Sequence, residues 1–148
     1  GARVDPSVIG MHLLGGRPYT AEVARKSGDL GGAPVRVDGR LQLLEGPRFP
    51  PNFDQDLVPV FNTNTAVFDL DALDRDFDLT WLYVAKIADG RPAVQLERVY
   101  HEASAFVPTT YLEVPRRGPR GRFFPIKTPD DLADAQDDLR ELLAASLI

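Results

Sequence analysis

The chain has 148 residues and no cysteine, with 43% hydrophobic and 26% charged residues. It is therefore long enough to bury a core, and wholesale disorder, a disulfide framework, thiolate metal sites and cysteine nucleophiles are all excluded. A formal net charge of -5 speaks against a nucleic-acid partner, no apolar run approaches membrane-spanning length, and no basic, hydrophobic leader opens the chain, so one cytoplasmic domain is expected.

Asp5-Pro6-Ser7 predicts the start of a helix with Val8, Ile9, Leu13 and Leu14 as its apolar positions and Gly15-Gly16 as its stop. Pro18 to Lys26 alternates like a strand, with Tyr19, Ala21 and Val23 on one face and Thr20, Glu22 and Ala24 on the other. Lys26 closes it, just before a glycine-bearing loop. Pro34 to Val37 and Leu41 to Leu44 flank Asp38-Gly39, the strongest hairpin signal in the chain. Glu45 follows, and Pro47, Pro50 and Pro51 interrupt regular structure up to Asn52. Phe61-Asn62-Thr63-Asn64-Thr65 then leads into a strand at Ala66-Val67-Phe68. Its uncharged donors and acceptors suit sugar hydroxyls and serve equally well in a turn without a ligand. Asp69, Asp71, Asp74, Asp76 and Asp78 lack the glycine and closing glutamate of a calcium loop, so they are expected as helix-start and surface carboxylates.

Leu82 to Ile87 predicts a strand closed by a turn at Asp89-Gly90. From Val94 onward, Leu96, Val99, Tyr100, Ala103 and Phe106 recur at three and four, which predicts a helix with Glu97, His101 and Glu102 on its polar side. His101 is then a surface residue, and no metal-ligand spacing accompanies it or His12. Thr110 to Val114 forms a further strand. The last helix runs from Pro129, with Leu132, Ala135, Leu139, Leu142 and Leu143 as its apolar stripe. Interleaved strands and helices point to an α/β layered fold with one antiparallel hairpin as an excursion.

Between the last strand and the last helix lies a distinctive segment, Arg116 to Leu132. Four arginines and a lysine flank Phe123-Phe124-Pro125-Ile126. Thr128 is a good N-cap, Pro129 suits the first helical position, and Asp131 can complete a capping box. Lys127 is thereby held at the mouth of a helix, where an ammonium, guanidiniums and backbone N-H groups suit a phosphate. On composition alone, a solvated basic loop ahead of an ordinary surface helix is the commoner outcome for such residues. At the carboxyl ends of strands, where α/β folds hold their ligands, the pattern places Lys26, Asn62 to Thr65, Lys86 and Lys127.

The ordered set Glu22-Val23-Ala24-Arg25-Lys26, Leu44-Glu45, Phe61-Asn62-Thr63-Asn64, Ala85-Lys86, Val94-Gln95-Leu96-Glu97, Val114-Pro115-Arg116 and Arg122 to Leu132 resembles the UDP-glucose pyrophosphorylases, the UTP:glucose-1-phosphate uridylyltransferases. It covers nearly the whole chain. The resemblance implies part of a Rossmann-like, glycosyltransferase-A-type nucleotidyltransferase fold with a mixed sheet and a β-hairpin excursion. It implies a reaction of UTP and a sugar 1-phosphate that yields a UDP-sugar and pyrophosphate, with Mg²⁺. Carried over by motif, Lys127 contacts phosphates, Lys26 and Lys86 match further lysines of the phosphate region, and Lys26 and Lys127 are the candidate catalytic residues. Phe61, Asn62, Thr63 and Asn64 match the sugar-facing loop, Glu45 matches a carboxylate that binds sugar hydroxyls, and Arg122 is the basic residue next to the aromatic pair.

The departures are specific. Leu30-Gly31-Gly32 stands where the family has lysine-glycine-glycine, and Thr65 replaces the last asparagine of the sugar-facing loop. Arg98-Val99-Tyr100-His101 replaces a run of small residues, and Arg117-Gly118-Pro119-Arg120-Gly121 lengthens the basic loop. The family's phosphate loop, uracil contacts and metal-binding aspartate have no counterpart here, nor does its C-terminal β-helix. Residues 1–148 are therefore expected to be the sugar-binding half of a catalytic domain, inactive alone, with the remaining half as partner and most metal ligands outside the chain. Competing readings are a non-catalytic UDP-sugar-binding module, an interaction domain whose basic loop docks an acidic partner, and a pyrophosphorylase for UDP-N-acetylhexosamine or for many UDP-sugars.

Overall fold

A computed structural model describes residues 4–29 and 31–146. Gly1-Ala2-Arg3 and Leu30 lie outside the described residues. The order of elements is α1 (Pro6–Gly15), β1 (Tyr19–Arg25), β2 (Ala33–Val37), β3 (Arg40–Leu44), β4 (Val60–Phe68), α2 (Leu70–Leu73), β5 (Trp81–Ala88), β6 (Arg91–Arg98), β7 (Thr109–Glu113), α3 (Pro129–Asp134) and α4 (Gln136–Ser146). Short 3-10 helices occupy Gly46–Arg48, Gln55–Leu57 and Tyr100–Ala105.

β1 is the centre of a mixed three-stranded sheet, antiparallel to β4 on one side and parallel to β7 on the other. Tyr19 through Ala24 are all buried, so both faces of this strand are covered and the alternation read in the sequence does not divide core from solvent. One face carries Tyr19 and Ala21 into a core with Leu43 and Val107, joined by Phe68 and Tyr111. At the other end Ala24, Phe61 and Val114 pack with Leu112 and Phe123. Hydrophobic burial of this kind stabilises by roughly 25 cal/mol per Å² of apolar surface.

α1 begins where Asp5 caps it, accepting a hydrogen bond from the Ser7 N-H at 2.9 Å, and ends at Gly16 in the left-handed region. Its inward residues are Val8 and His12, whereas Leu13 and Leu14 are exposed. His12 is buried because both ring nitrogens have partners: Nδ1 meets Thr20 Oγ1 at 2.9 Å and Nε2 meets Asp69 Oδ1 at 3.1 Å. The trio imitates a nucleophilic triad, but Thr20 is 1% exposed, so no substrate reaches its hydroxyl. It instead ties α1 to β1 and to the start of α2.

The hairpin at Asp38-Gly39 is present, β2 pairing antiparallel with β3 and both turn residues at positive φ (47° and 80°), as a two-residue hairpin loop requires. Asp89-Gly90 makes the same turn (φ 50° and 73°), and it overturns one expectation. Residues 91–98 return as β6, paired antiparallel with β5 from Ile87↔Pro92 to Trp81↔Arg98, and are not helical. The turn sends the chain back along β5, and Pro92, Val94 and Leu96 alternate at the period of a strand. The later apolar residues belong to the 3-10 helix Tyr100–Ala105, whose Ala103 packs inward with His101, Glu102 and Ser104. The last helix also divides, into α3 and α4 at Ala135. Among the described residues no helix is long and apolar enough to cross a membrane.

Candidate functional site

The site is built on an irregularity in β4. The β1–β4 register runs from Tyr19↔Phe68 to Ala21↔Ala66 and resumes at Val23↔Asn62, so Glu22 alone faces Thr63, Asn64 and Thr65. Asn64 sits at φ 61°, a conformation that asparagine tolerates better than most side chains. The predicted pre-strand loop is thus a bulge inside a strand that starts at Val60, and a bulge re-aims side chains. Asn62 and Thr63 are buried: Thr63 Oγ1 donates to the Glu22 carbonyl at 3.1 Å, and Asn62 Nδ2 donates to Asn64 Oδ1 at 2.9 Å. Asn64 is exposed.

The segment after β7 closes over this bulge. Thr63, Asn64 and Thr65 share a cleft of about 450 Å³ with Arg122, Phe123, Phe124 and Ile126, and Leu139 of α4 lines it as well. Underneath, Arg122 grips the fully buried Glu22 through Nε and Nη2, each 2.6 Å from a carboxylate oxygen, and its Nη1 lies 3.4 Å from Asp5. The Glu22 carboxylate raises the Arg122 pKa further, so the guanidinium is permanently charged. Phe123 meets Phe61 edge to face with centroids 4.7 Å apart, and Arg116 lies over both rings while its guanidinium holds Asp29. At Gly121 an added Cβ would come within 2.9 Å of the Arg117 backbone, so the tight path of the loop depends on glycine.

The basic loop is therefore less of an anion edge than its sequence suggests. Arg116, Arg117 and Arg122 face Asp29, Asp138 and Glu22. The capping box forms as expected, and it fills the helix mouth: the N-H groups of Lys127 and Thr128 both donate to Asp131 Oδ2, at 2.9 and 2.7 Å. These bonds, the one from Lys127 first, hold the Asp131 pKa below the usual carboxylate range. The exposed side chains of Lys127, which follows Ile126 at the cleft wall, and of Arg120 remain for an anion.

The other candidate residues, Lys26, Lys86 and Glu45, do not line this cleft. Lys26 stands at the end of β1 and donates to the Gln55 carbonyl. Lys86 lies on the β5–β6 hairpin beside Gln95 and Glu97, so the fold does not bring it to the cleft. Glu45 follows β3 and packs against Gly32, where an added Cβ would clash with its carboxylate, and Gly32 accepts the Asn62 N-H at 2.7 Å. The His101 imidazole at ion-pair distance holds the Glu45 carboxyl below the usual range.

His101, expected at the surface, is 3% exposed, and Glu102 beside it bonds Arg48 and the Thr80 N-H. The error follows from the helix misreading, since in a 3-10 turn these residues point inward. Glu22, which the sequence pattern does not single out as a site residue, anchors the site through Arg122. A carboxylate inside a central apolar strand requires a buried partner, which was the available signal. Among the described residues no group of three or more His, Cys, Asp or Glu side chains stands close enough to hold a metal ion.

The family model described as UTP--glucose-1-phosphate uridylyltransferase matches residues 1–148. UTP--glucose-1-phosphate uridylyltransferase 2 of Dictyostelium discoideum is 29% identical over 164 residues, covering 100% of this chain and 32% of that protein. The Solanum tuberosum enzyme is 30% identical over 154 residues, covering 96% and 32%. A Trypanosoma brucei UDP-glucose phosphorylase superposes with a TM-score of 0.68 at 24% identity, over 88% of this chain and 32% of that one. A Leishmania major UDP-glucose pyrophosphorylase in complex with UDP-glucose gives a TM-score of 0.65 at 24% identity, over 88% and 33%. The chain spans about a third of the length of these relatives, and it belongs to the UTP--glucose-1-phosphate uridylyltransferase family.

Proposed function

We propose, from membership in this family of enzymes, that the chain is the sugar-facing part of a catalytic unit that joins UTP and glucose 1-phosphate into UDP-glucose. The observation that carries the reading is the cleft in which the Asn64 bulge faces the Arg122 to Ile126 segment, with Lys127 next in the chain. A phosphate oxygen of the sugar 1-phosphate attacks the α-phosphorus of UTP. A new P-O bond forms, the bond to the β-phosphate bridge breaks, and pyrophosphate leaves with the electron pair. The attacking oxygen is already anionic, so no serine, histidine or cysteine base is needed. Catalysis then rests on positioning and on neutralising phosphate charge.

In this reading the Lys127 ammonium neutralises phosphate charge from a fixed base, because the capping box pins its backbone. Asn64 offers its amide to the hexose, and Glu45 accepts from sugar hydroxyls as a carboxylate. Arg122 supports the cleft by holding Glu22 and the Phe123-Phe124 segment in place, and Lys26 serves the phosphate region from the end of β1. Lys86, on its hairpin, has the weakest claim to a ligand. Mg²⁺ is expected of the complete enzyme, with most of its ligands supplied by the rest of the catalytic unit. Nucleotide contacts are assigned to that remainder too, and the 148 residues alone are expected to release no pyrophosphate from UTP and glucose 1-phosphate.

The test is a pyrophosphate-release assay on a complete protein carrying this chain. Lys127→Ala should lower turnover by orders of magnitude while the melting temperature stays put, and unchanged turnover would remove Lys127 from the mechanism. Turnover by the purified 148 residues would refute the requirement for a second half. UDP-glucose binding without any turnover in the complete protein would favour a non-catalytic binding module.

A further inference from the structure

Tyr100 and His101 stand at the ends of a closed circuit of contacts. The Tyr100 hydroxyl donates to the Asn64 carbonyl at 2.9 Å. The Tyr100 ring lies edge-on to His101 with centroids 5.7 Å apart and edge-on to Phe68 at 6.2 Å. His101 Nε2 is buried at ion-pair distance from the Glu45 carboxylate, although its alignment falls short of a hydrogen bond. Glu45 presses on Gly32, Gly32 accepts from the Asn62 N-H, and Asn62 is tied to Asn64 twice, through Asn62 Nδ2 to Asn64 Oδ1 and through the Asn64 N-H to Asn62 Oδ1 at 3.2 Å. The circuit runs from the bulge to the carboxylate and back.

We infer that Tyr100 and His101 are positioning residues that set sugar selectivity, Tyr100 by fixing the Asn64 bulge and His101 by fixing which way the Glu45 carboxylate faces. The inference rests on the sugar-facing reading of Asn64 and Glu45. Three observations support it. Asn64 occupies the left-handed region, where a single hydrogen bond to its carbonyl bears directly on which conformation it keeps. Glu45 Oε1 lies in the space that the missing side chain of Gly32 leaves open and faces the buried His101 imidazole with the same oxygen, so both neighbours bear on one orientation of the carboxylate. Both residues lie on the same 3-10 turn, so any shift in that turn moves the two sugar-facing groups together. One setting of amide and carboxylate matches one pattern of hexose substituents, which favours one sugar over its N-acetylated analogue.

The experiment follows ¹H-¹⁵N shifts of a complete protein carrying this chain, titrated with UDP-glucose and, separately, with UDP-N-acetylglucosamine. The wild-type protein should shift at Gly32, Asn62 and Asn64 and prefer one of the two ligands. His101→Leu should weaken the preferred ligand by about tenfold, the scale of one hydrogen bond to a charged group, and erase the preference. His101→Gln, which keeps a donor, should restore most of both. Tyr100→Phe removes only the hydroxyl of an exposed ring, so it tests the other arm even if His101→Leu fails to fold. Wild-type binding with unchanged affinity and preference in Tyr100→Phe, and in His101→Leu where its spectrum stays dispersed, overturns this inference and leaves the sugar-facing reading standing. No shift at these residues with either ligand in the complete wild-type protein overturns both.

Discussion

Three ion pairs decide how this chain responds to substitution and to acid. Glu22 is fully buried and Arg122 nearly so, and the pairing is bidentate, one bond to each carboxylate oxygen. Removing one partner strands the other charge, at a cost of about 3–5 kcal/mol. Arg122→Met should therefore lower the urea midpoint sharply, whereas Arg120→Met, in the same loop and exposed, should change stability by less than about 0.5 kcal/mol. Equal effects would mean that the Glu22 pair does not anchor the loop. Acid acts on the other two pairs. Arg116 holds Asp29 below the usual carboxylate range and His101 does the same for Glu45. A depressed folded pKa gives stability that is fully present above the unfolded value of about 4 and disappears as pH falls through the folded value. Unfolding midpoints should stay level from neutral pH down to about 5 and fall below about 4. Arg116→Leu should lower stability at neutral pH and reduce the further loss on acidification; an unchanged acid slope would show that Asp29 does not contribute to it.

At the scale of elements, the sequence was legible wherever a local rule acted alone. Asp5, Thr128 and Asp131 announce helix starts because a side-chain oxygen satisfies a nearby N-H, and both caps are formed. Asp38-Gly39 announces a hairpin because only such residues take positive φ at both turn positions. Legibility failed where two periods overlapped: Val94 and Leu96 fit a strand, Leu96, Val99, Tyr100 and Ala103 fit a helix, and only the Asp89-Gly90 turn decides between them. The bulge was hidden for another reason, since a register shift is a property of the pair β1–β4 and no single strand encodes it. The candidate site was accordingly half visible: its polar residues were named, while Glu22, Tyr100 and the buried state of His101 depend on contacts between elements distant in sequence. Asn64→Val tests the bulge itself. A β-branched side chain at φ 61° should cost about 1–2 kcal/mol in thermal unfolding, and Asn64→Gly should cost much less. Equal losses would mean that the left-handed backbone is not what constrains this position.

For the molecule as a whole, the unusual feature is how much apolar surface faces outward. One face of the β5–β6 hairpin carries Trp81, Tyr83, Ile87, Val94 and Leu96, all more than half exposed, and the hairpin packs chiefly on itself. α1 adds Leu13 and Leu14. Apolar side chains gathered on one face mark a surface that associates, in contrast to the scattered exposed leucines of any domain. The 148 residues should therefore self-associate as their concentration rises, despite a net charge of -5 that favours solubility. Ile87→Ser with Val94→Ser tests the hairpin face, because neither side chain is buried and the cross-strand backbone bonds do not depend on them. The double variant should shift the weight-average mass in analytical ultracentrifugation toward the 16.3 kDa monomer while its unfolding midpoint moves by less than about 1 kcal/mol. If association is unchanged, the hairpin face is not the adhesive surface and Leu13→Ser with Leu14→Ser on α1 becomes the pair to test. If stability collapses along with association, the hairpin is held by contacts within the domain, and its exposed face is part of what keeps the chain folded.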